Sequence, residues 1–168
     1  MDQIRTALEG ASAYLTANPS EARYTDSAAV ATLGDGLRVR VSGPAGEAVA
    51  TDMAPSVGGS GSAASPGWLL RAAQASCVVT LIAMRAALDG VALERLEVTV
   101  DSESDDRGIL GLDPAIPAGP LRSRVRVVAK GDASRQRLDE IVRWGIDHCP
   151  VCDAVKRAVP INVEVEIR

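Results

Sequence analysis

The side chains of this sequence with the greatest chemical potential are three cysteines and a single histidine. Cys149 and Cys152 form a C-x-x-C pattern that His148 directly precedes, and Cys77 lies far upstream in an apolar run. A thiolate can attack peroxides and disulfides, and it also binds soft metals such as zinc. The sequence therefore allows redox chemistry, a metal site, or thiols that only fill a hydrophobic core.

The local sequence around these cysteines differs. Cys77 stands on an apolar stripe, where a cysteine is most often a small buried hydrophobe. Pro150 marks a helix start and would leave Cys149 near the N-terminus of that helix, where unpaired N–H groups favour the thiolate. His148, beside the same helix start, is expected to face solvent. Cys149 is therefore the cysteine whose surroundings most favour reactivity.

Three roles for the C-x-x-C pair compete on the residues alone. A thioredoxin-type dithiol should follow a strand in a βαβ unit near the start of its domain, which this motif does not. A zinc site would need Cys77 and His148 as further ligands, and the adjacency of His148 to Cys149 makes a tetrahedral set awkward. In the third role Cys77 pairs with Cys149 or Cys152, so that a sulfenate formed on one sulfur is resolved by another.

The elements that carry these thiols follow from sequence periodicity. Ser65 as N-cap, Pro66 at the first helical position and Gly90 as a stop predict a long helix around Cys77. We expect this helix to be central and largely buried, with an inward stripe of Leu70, Ala73, Cys77, Leu81, Met84 and Leu88 that apolar neighbours such as Leu69, Val78 and Ile82 widen. The run 135–148 predicts a second helix, whose inward stripe continues into the C-x-x-C pair as Leu138, Val142, Gly145, Cys149 and Cys152.

The remaining elements are a helix at the N-terminus and several short strands. Residues 2–17 predict a helix, so that 1–20 would be an N-terminal helical extension of a domain over 21–168. Alternating residues predict strands within 28–51, at 96–100, at 123–128 and at 162–167. Strands grouped around only two core helices favour an α+β fold with antiparallel sheets.

Length and composition bound the class of protein. The 168 residues are one domain's worth, enough to fold without disulfides or metal. Acidic residues outnumber basic ones 22 to 18, and no basic block interleaves with aromatics, so neither nucleic acid nor an anionic membrane is an expected partner. The start lacks a signal-peptide pattern and the apolar run 77–84 is too short to span a bilayer, so the protein is expected to be cytoplasmic. No cofactor is expected.

Two motifs give the chain a resemblance to a known family. Gly58, Gly59, a Ser/Gly run and SPGWLLRAAQASC are similar to a pattern of Gly-Gly, Asn-Pro-Glu-x-Leu, an Ala-rich stretch and Cys. HCPVC is similar to a second motif, Cys-Pro followed by a hydroxyl residue. Together with the order of strands and helices, from Ala28 to Ile167, these motifs resemble the OsmC/Ohr family of osmotically inducible and organic-hydroperoxide-resistance proteins.

The resemblance implies a fold and an activity. The OsmC-like fold is an intertwined homodimer in which antiparallel sheets flank two long central helices. The implied activity is that of a peroxidase in the oxidative stress response, which reduces organic hydroperoxides to alcohols. A peroxidatic cysteine is oxidised, a second cysteine closes a disulfide with it, and a dithiol reductant, in some members a lipoylated protein, reopens that disulfide.

Carried onto this chain, the resemblance assigns the peroxidatic role to Cys77 and the resolving role to Cys149. Cys152 stands where the family usually has serine, and it could act as an additional resolving thiol or simply pack. The family also uses an arginine from its N-terminal strands to activate the peroxidatic thiolate. The candidates for this role are Arg38 and Arg40, with Arg23 and Arg71 as further ones.

Gly67 is the main departure from the family pattern. Ten residues before the first cysteine the family has a glutamate that orients the arginine, and this chain has Gly67 at that position. Two alternatives therefore stand beside the peroxidase. One is an OsmC-like ligand-binding domain that lacks peroxidase activity, and the other is a zinc-binding thiol protein that uses Cys77, Cys149 and Cys152.

Overall fold

The computed structural model describes residues 2–168. By their internal contacts these residues form two compact units, one of residues 6–73 and the other of residues 2–5 with 74–168. Two helices, α1 (Asp2–Ala17) and α2 (Pro66–Leu88), contribute residues to both units. Helix α1 confirms the helix predicted over 2–17.

The unit of residues 6–73 contains a three-stranded antiparallel sheet. Strands β1 (Val30–Leu33), β2 (Val39–Ser42) and β3 (Ala48–Thr51) are hydrogen-bonded in that order. Arg40 lies on the middle strand, opposite Thr32 of β1. The sheet confirms the three short strands predicted within 28–51.

The loop that follows β3 is held by a buried carboxylate. Asp52 is only 2% exposed, and it accepts hydrogen bonds from the backbone N–H and the hydroxyl of both Ser60 and Ser62. A Cβ at Gly59 would overlap the backbone carbonyl of Met53. The second residue of the Gly-Gly pair is therefore required by the close approach of two backbone segments.

The ends of α2 are those that the sequence predicts. The Trp68 N–H donates to Ser65 Oγ at 3.2 Å, and Pro66 is the first helical residue. Gly90 follows the helix with a φ of +71°, in the left-handed region that glycine adopts without strain.

The buried face of α2 lies one residue further along the chain than the centre of the predicted stripe. Cys77 is only partly buried. Val78 and Ile82, which widen the predicted stripe, are completely buried, whereas its centre from Leu70 to Leu88 is not. Apolar residues lie on several faces of this helix and a polar residue lies on the buried one, so periodicity does not identify a single face. The prediction of a largely buried helix holds for that face alone, which consists of Gln74, Val78, Ile82, Ala86 and Ala87.

The apolar segment around Cys77 is longer than the run of residues 77–84 from which the sequence predicts no membrane span. Helix α2 has 23 residues and a mean hydropathy of 1.4 in its most apolar window, so by length and composition alone it could cross a membrane. A core helix has the same properties, and Val78 and Ile82 of this helix are completely buried. The apolar segment therefore extends well beyond residues 77–84, over the whole of Pro66–Leu88.

The unit that includes residues 74–168 contains a two-stranded antiparallel sheet. Strand β4 (Leu93–Glu103) pairs with β5 (Arg122–Gly131), and a short helix, α3 (Asp106–Ile109), lies in the connection between them. Leu93, Leu96 and Val98 of β4 and Val125 and Val127 of β5 pack against the core. The opposite face carries ion pairs such as that between Arg124 and Asp101, at 2.9 Å. The two antiparallel sheets and the helices confirm the predicted α+β class.

Helices α4 (Arg135–Asp147) and α5 (Pro150–Lys156) follow this sheet. Ser134 caps α4, since its Oγ accepts the Arg137 N–H at 3.2 Å. Helix α4 confirms the second predicted helix, although the C-x-x-C pair belongs to a separate helix that starts after His148. The buried core of the unit draws on α2, α4 and α5 and consists of Val78, Ile82, Ala86, Val91, Ile141, Cys149 and Cys152.

The C-terminal segment is not a strand in the structure. Residues 160–168 have no regular secondary structure, and the predicted strand over 162–167 was therefore wrong for a single chain. An alternating sequence forms a strand only when its backbone pairs with the edge of a sheet. The alternating apolar side chains are instead exposed: Ile161 by 83%, Val163 by 77%, Val165 by 76% and Ile167 by 90%.

Candidate functional site

The three cysteines meet within the unit that includes residues 74–168. Cys77 lies on α2, Cys149 is the N-cap of α5, and Cys152 lies in the first turn of α5. The Cys149 sulfur accepts the Cys152 N–H at 3.3 Å, Cys152 belongs to the same buried core cluster, and Cys77 packs against that cluster. All three are free thiols. Cys149 is therefore the central sulfur of the cluster.

The junction between α4 and α5 places Cys149 in this position. His148 ends α4, and its N–H donates to the Trp144 carbonyl at 3.0 Å. The exposed His148 ring stacks on the Trp144 indole, with ring centroids 4.1 Å apart. Pro150 then begins α5, at a position where a missing N–H costs nothing. The structure confirms both the predicted helix start and the exposure of His148.

The three thiols differ in their access to solvent. Cys149 is 0% exposed and Cys152 is 2% exposed, whereas Cys77 is partly exposed. A small molecule in solution therefore meets Cys77 first. The other two thiols can react only with groups that already lie beside them in the core.

Hydrogen bonding separates the thiols by acidity. Burial raises the pKa of the Cys77 thiol, and donation to Cys149 raises it further, although the Val151 N–H opposes both. Burial would also raise the pKa of Cys149, but the Cys152 N–H and the Cys77 and Cys152 thiols outweigh burial and lower this pKa. The cluster therefore holds a thiolate charge best on Cys149, as its predicted place at a helix start favours.

Cys152 has a polar partner that the sequence analysis did not identify. Burial and the hydrogen bond to Cys149 raise the pKa of the Cys152 thiol, and Gln74 acts in the opposite direction. Gln74 Nε2 donates to Cys152 Sγ at 3.5 Å, and Gln74 Oε1 accepts the Ser123 hydroxyl at 3.2 Å. The available signal was the presence of one glutamine within a strongly apolar helix, at a position that proves to be 6% exposed.

The arginines proposed as activating groups all belong to the unit of residues 6–73. Arg38 and Arg40 lie on or beside β2, and Arg38 Nη1 donates to Ser62 Oγ at 3.4 Å. Arg23 follows the short 3₁₀ turn after α1, and Arg71 lies in α2. The structure thus brings the three cysteines together, and the choice of activating arginine stays a prediction.

The space at Gly67 bears on the carboxylate that the chain lacks. Gly67 lies in the first turn of α2, and a Cβ there would meet only Arg71 Nη1 at 3.8 Å and Ser65 Oγ at 3.9 Å. These are ordinary contact distances. A Cβ at position 67 would therefore fit beside the Arg71 guanidinium without displacing the backbone.

The zinc alternative receives no geometric support from the thiol cluster. Among residues 2–168, no group of three or more His, Cys, Asp or Glu side chains is arranged to hold a metal ion. His148, the fourth soft ligand considered for such a site, is engaged with Trp144.

Comparison with known families gives one match. The OsmC-like protein family matches residues 59–164, which include all three cysteines and the Gly59 contact. A comparison with curated proteins gave no significant match.

Solved structures share the fold at low sequence identity. The OsmC-like protein of Mycoplasma pneumoniae has a TM-score of 0.69 at 12% identity, covering 81% of this chain and 91% of that one. An organic hydroperoxide resistance protein of Legionella pneumophila has a TM-score of 0.59 at 20% identity, covering 80% and 91%. The organic hydroperoxide resistance protein OhrB of Bacillus subtilis has a TM-score of 0.52 at 19% identity, covering 84% and 98%. At these identities the similarity is one of fold.

Proposed function

The chain belongs to the OsmC-like protein family, and we propose that it is a thiol peroxidase that reduces organic hydroperoxides to alcohols. The observation that carries this proposal is the packing of the partly exposed Cys77 against the buried core that contains Cys149. It provides one thiol that a dissolved peroxide can reach and a second that can close a disulfide with it. Structural neighbours named organic hydroperoxide resistance proteins support the same activity.

In the proposed reaction the Cys77 thiolate attacks the terminal oxygen of the hydroperoxide. The O–O bond breaks, the alkoxide takes a proton and leaves as the alcohol, and Cys77 becomes a sulfenic acid. The Cys149 thiolate then attacks the Cys77 sulfur, the hydroxyl leaves as water after protonation, and a disulfide forms. A dithiol reductant restores both thiols and is itself oxidised to a disulfide.

The proposed nucleophile needs a cation, because burial raises the pKa of Cys77. We assign this role to Arg38 or Arg40, following the family resemblance. Substitution of each by alanine should separate the two candidates, since loss of the activating residue would lower the rate of hydroperoxide reduction and leave disulfide reduction by the dithiol unchanged.

Ligand binding without peroxidase chemistry is the second candidate function. Gly67 supplies no carboxylate to orient an arginine, and the raised pKa of Cys77 favours a protonated, unreactive thiol. On this proposal the reduced protein consumes no hydroperoxide even with excess dithiol, and it retains a ligand in native mass spectrometry. A zinc-binding role would instead give stoichiometric metal on elemental analysis and thiols shielded from alkylation.

We also propose that the protein is a homodimer. The exposed, alternating residues of 160–168 are the pattern of a strand without a partner, and a second copy of the chain offers a sheet edge for it. Val163→Glu should shift the molecular mass measured by light scattering toward the monomer. Glu164→Gln, at the neighbouring exposed position, is the matched control and should leave the mass of the assembly unchanged.

The direct test is turnover of cumene hydroperoxide by the reduced protein, with dihydrolipoamide as the dithiol. The wild type should consume peroxide and Cys77→Ser should not, while Cys149→Ser should react once and then stop because its sulfenate is not resolved. No consumption by the wild type would reject the peroxidase. We propose that the reaction takes place in the cytoplasm, with no nucleic-acid or membrane partner.

A further inference from the structure

We infer that Cys152 is the terminal resolving thiol and that the disulfide of the resting oxidised protein joins Cys149 to Cys152. In the peroxide reaction this inference rests on the proposed function, because the disulfide between Cys77 and Cys149 is formed first. Cys152 then attacks the Cys149 sulfur and releases Cys77. The three thiols would thus form a relay that carries the disulfide from a partly exposed position into the core.

The geometry of α5 supports a bond between these two cysteines. Cys149 is the N-cap and Cys152 lies in the first turn, with the Cys152 N–H donating to Cys149 Sγ at 3.3 Å. Both cysteines are buried in the same core cluster. Residues three apart at a helix start have Cβ atoms about 5–6 Å apart, close enough for a small change of rotamer and backbone to form a disulfide.

Gln74 acts as a positioning residue for the attacking thiol. Its side chain is 6% exposed and spans from the Ser123 hydroxyl, at 3.2 Å, to Cys152 Sγ, at 3.5 Å. A glutamine buried in an apolar face is costly unless both ends of the amide are bonded. The amide donor fixes the Cys152 sulfur beside Cys149 and favours its charged form, which is the form that attacks.

The exchange balances without any additional reactant. The Cys152 sulfur forms a bond to the Cys149 sulfur while the bond between Cys149 and Cys77 breaks. The proton lost by Cys152 is taken up by the departing Cys77 thiolate, so the oxidation state of the protein does not change. Cys77 is the partly exposed member of the cluster, so its release returns a free thiol to the position that a dissolved hydroperoxide can reach.

Digestion with trypsin places Cys77 on a different peptide from Cys149 and Cys152, so mass spectrometry can identify which cysteines are joined by a disulfide. Cys77 falls in peptide 72–85, and both Cys149 and Cys152 fall in peptide 144–156. The reduced protein is oxidised with one equivalent of cumene hydroperoxide, or in parallel with diamide, which forms disulfides without a sulfenate. Samples are quenched in acid over time, alkylated with N-ethylmaleimide, digested and analysed by mass spectrometry.

We expect peptide 72–85 to end alkylated and peptide 144–156 to end two hydrogens lighter and unalkylated, after a transient cross-link between the two. A cross-link that persists, with Cys152 alkylated, would overturn the inference, as would the failure of diamide to oxidise peptide 144–156. If diamide gives the Cys149–Cys152 disulfide and the hydroperoxide gives no oxidation, the pairing stands and the peroxidase proposal fails.

Gln74→Met tests the positioning role, because methionine has a similar volume and lacks the amide donor. We expect the decay of the transient cross-link to slow about tenfold, the effect of one hydrogen bond to a charged group. The matched control is Gln136→Met on the exposed face of α4, where the glutamine bonds only Glu140, and it should leave the decay unchanged. Equal decay in wild type and Gln74→Met would reject the role of Gln74.

Discussion

Gly145 of α4 lies directly against Ile82 of α2. A Cβ at Gly145 would be 2.5 Å from Ile82 Cγ1 and 2.8 Å from its backbone nitrogen. The two residues flank the thiol cluster, since Ile82 is five positions after Cys77 and Gly145 is four positions before Cys149. The absence of a side chain at position 145 therefore permits the close approach of helices that brings the two sulfurs together.

Gly145→Ala should destabilise the protein by about 1–3 kcal/mol, because the added methyl group overlaps backbone atoms that cannot move independently of α2. The urea midpoint of unfolding is the measurement. Gly119→Ala is the matched control, since a Cβ there meets nothing within 4 Å, and it should leave the midpoint close to that of the wild type. Equal midpoints for the two variants would contradict this account of Gly145.

The same substitution should slow disulfide formation between Cys77 and Cys149. A disulfide requires Cα atoms about 4.4–6.8 Å apart, so a small separation of α2 from α4 removes part of the reactive geometry. The cross-link between peptides 72–85 and 144–156 after brief treatment with diamide measures this rate. An unchanged rate in folded Gly145→Ala would show that the contact stabilises the core without positioning the thiols.

The charge on Asp52 should make the free energy of unfolding decrease as the pH falls below about 4. Hydrogen bonds, first from the Ser60 hydroxyl and then from the Ser62 N–H, hold the pKa of Asp52 well below its usual value of about 3.9. The Asp52 carboxylate therefore becomes protonated at a higher pH in the unfolded chain than in the folded chain. The stabilisation is therefore complete above about pH 4 and is lost as the pH falls toward the folded-state pKa.

Asp52→Asn should accordingly lower the urea midpoint at pH 7, and its deficit relative to the wild type should shrink below pH 4. Asp26→Asn, at an exposed position, serves as the control and should follow the wild type across the range. A deficit that stays constant down to pH 2 would show that the Asp52 charge does not contribute to the stability of the loop.

Cys77 should react slowly at neutral pH. Burial and donation to Cys149 raise the pKa of Cys77, so its thiolate fraction at pH 7 lies below that of an ordinary thiol, whose pKa is about 8.5. The rate at which iodoacetamide alkylates Cys77, measured on peptide 72–85, should keep rising as the pH increases beyond about 8.5. In Cys149→Ala the rise should begin at lower pH, because the hydrogen bond that favours the protonated Cys77 is removed.

A plateau in the Cys77 rate near pH 7 would contradict this expectation and would indicate a cation close to the sulfur in the assembled protein. Arg38→Ala and Arg40→Ala, measured by the same alkylation, would then identify the arginine whose loss restores the rising profile. The pH profile therefore separates a thiol governed by burial from one activated by a guanidinium.

In this chain, features that depend on adjacent residues can be predicted from the sequence, whereas features that depend on contacts between distant residues cannot. Caps depend on a few adjacent residues, so Ser65 and Pro66 were sufficient to predict the start of α2. The buried face of α2 depends on what packs against it, and Gln74 lies on that face only because Cys152 and Ser123, distant in sequence, bond its amide. The strand predicted over 162–167 needs a sheet edge that a single sequence does not specify.

The thiol cluster likewise has one feature that the local sequence predicts and one that depends on tertiary packing. The helix start at Pro150 predicted a stabilised Cys149 thiolate, because the N-cap position follows from local sequence. The central place of Cys149 between Cys77 and Cys152 was not predictable, since it depends on the packing of α4 against α2 through Gly145. In the periodicity of the sequence Gly145 is one position of an apolar stripe, whereas in the structure it allows the close approach of two helix backbones.

Gly67→Glu should test whether the missing carboxylate limits peroxidase activity. A glutamate in the first turn of α2 replaces a residue of low helix propensity, interacts favourably with the helix N-terminus and lies one turn before Arg71, where a Cβ has room. We expect the variant to be more stable by about 1 kcal/mol. If a carboxylate here orients the activating arginine, as the family resemblance implies, the rate of hydroperoxide reduction should also rise.

Gly67→Gln is the matched control, because it gains the same helix propensity and length without the charge. A rise in peroxide turnover with glutamate and not with glutamine would assign the gain to the carboxylate and support activation of Cys77 by an arginine. Equal turnover in both variants and the wild type would show that Cys77 reacts without such a carboxylate. In that case the proton would be removed within the thiol cluster, where Cys149 is the group that Cys77 already contacts.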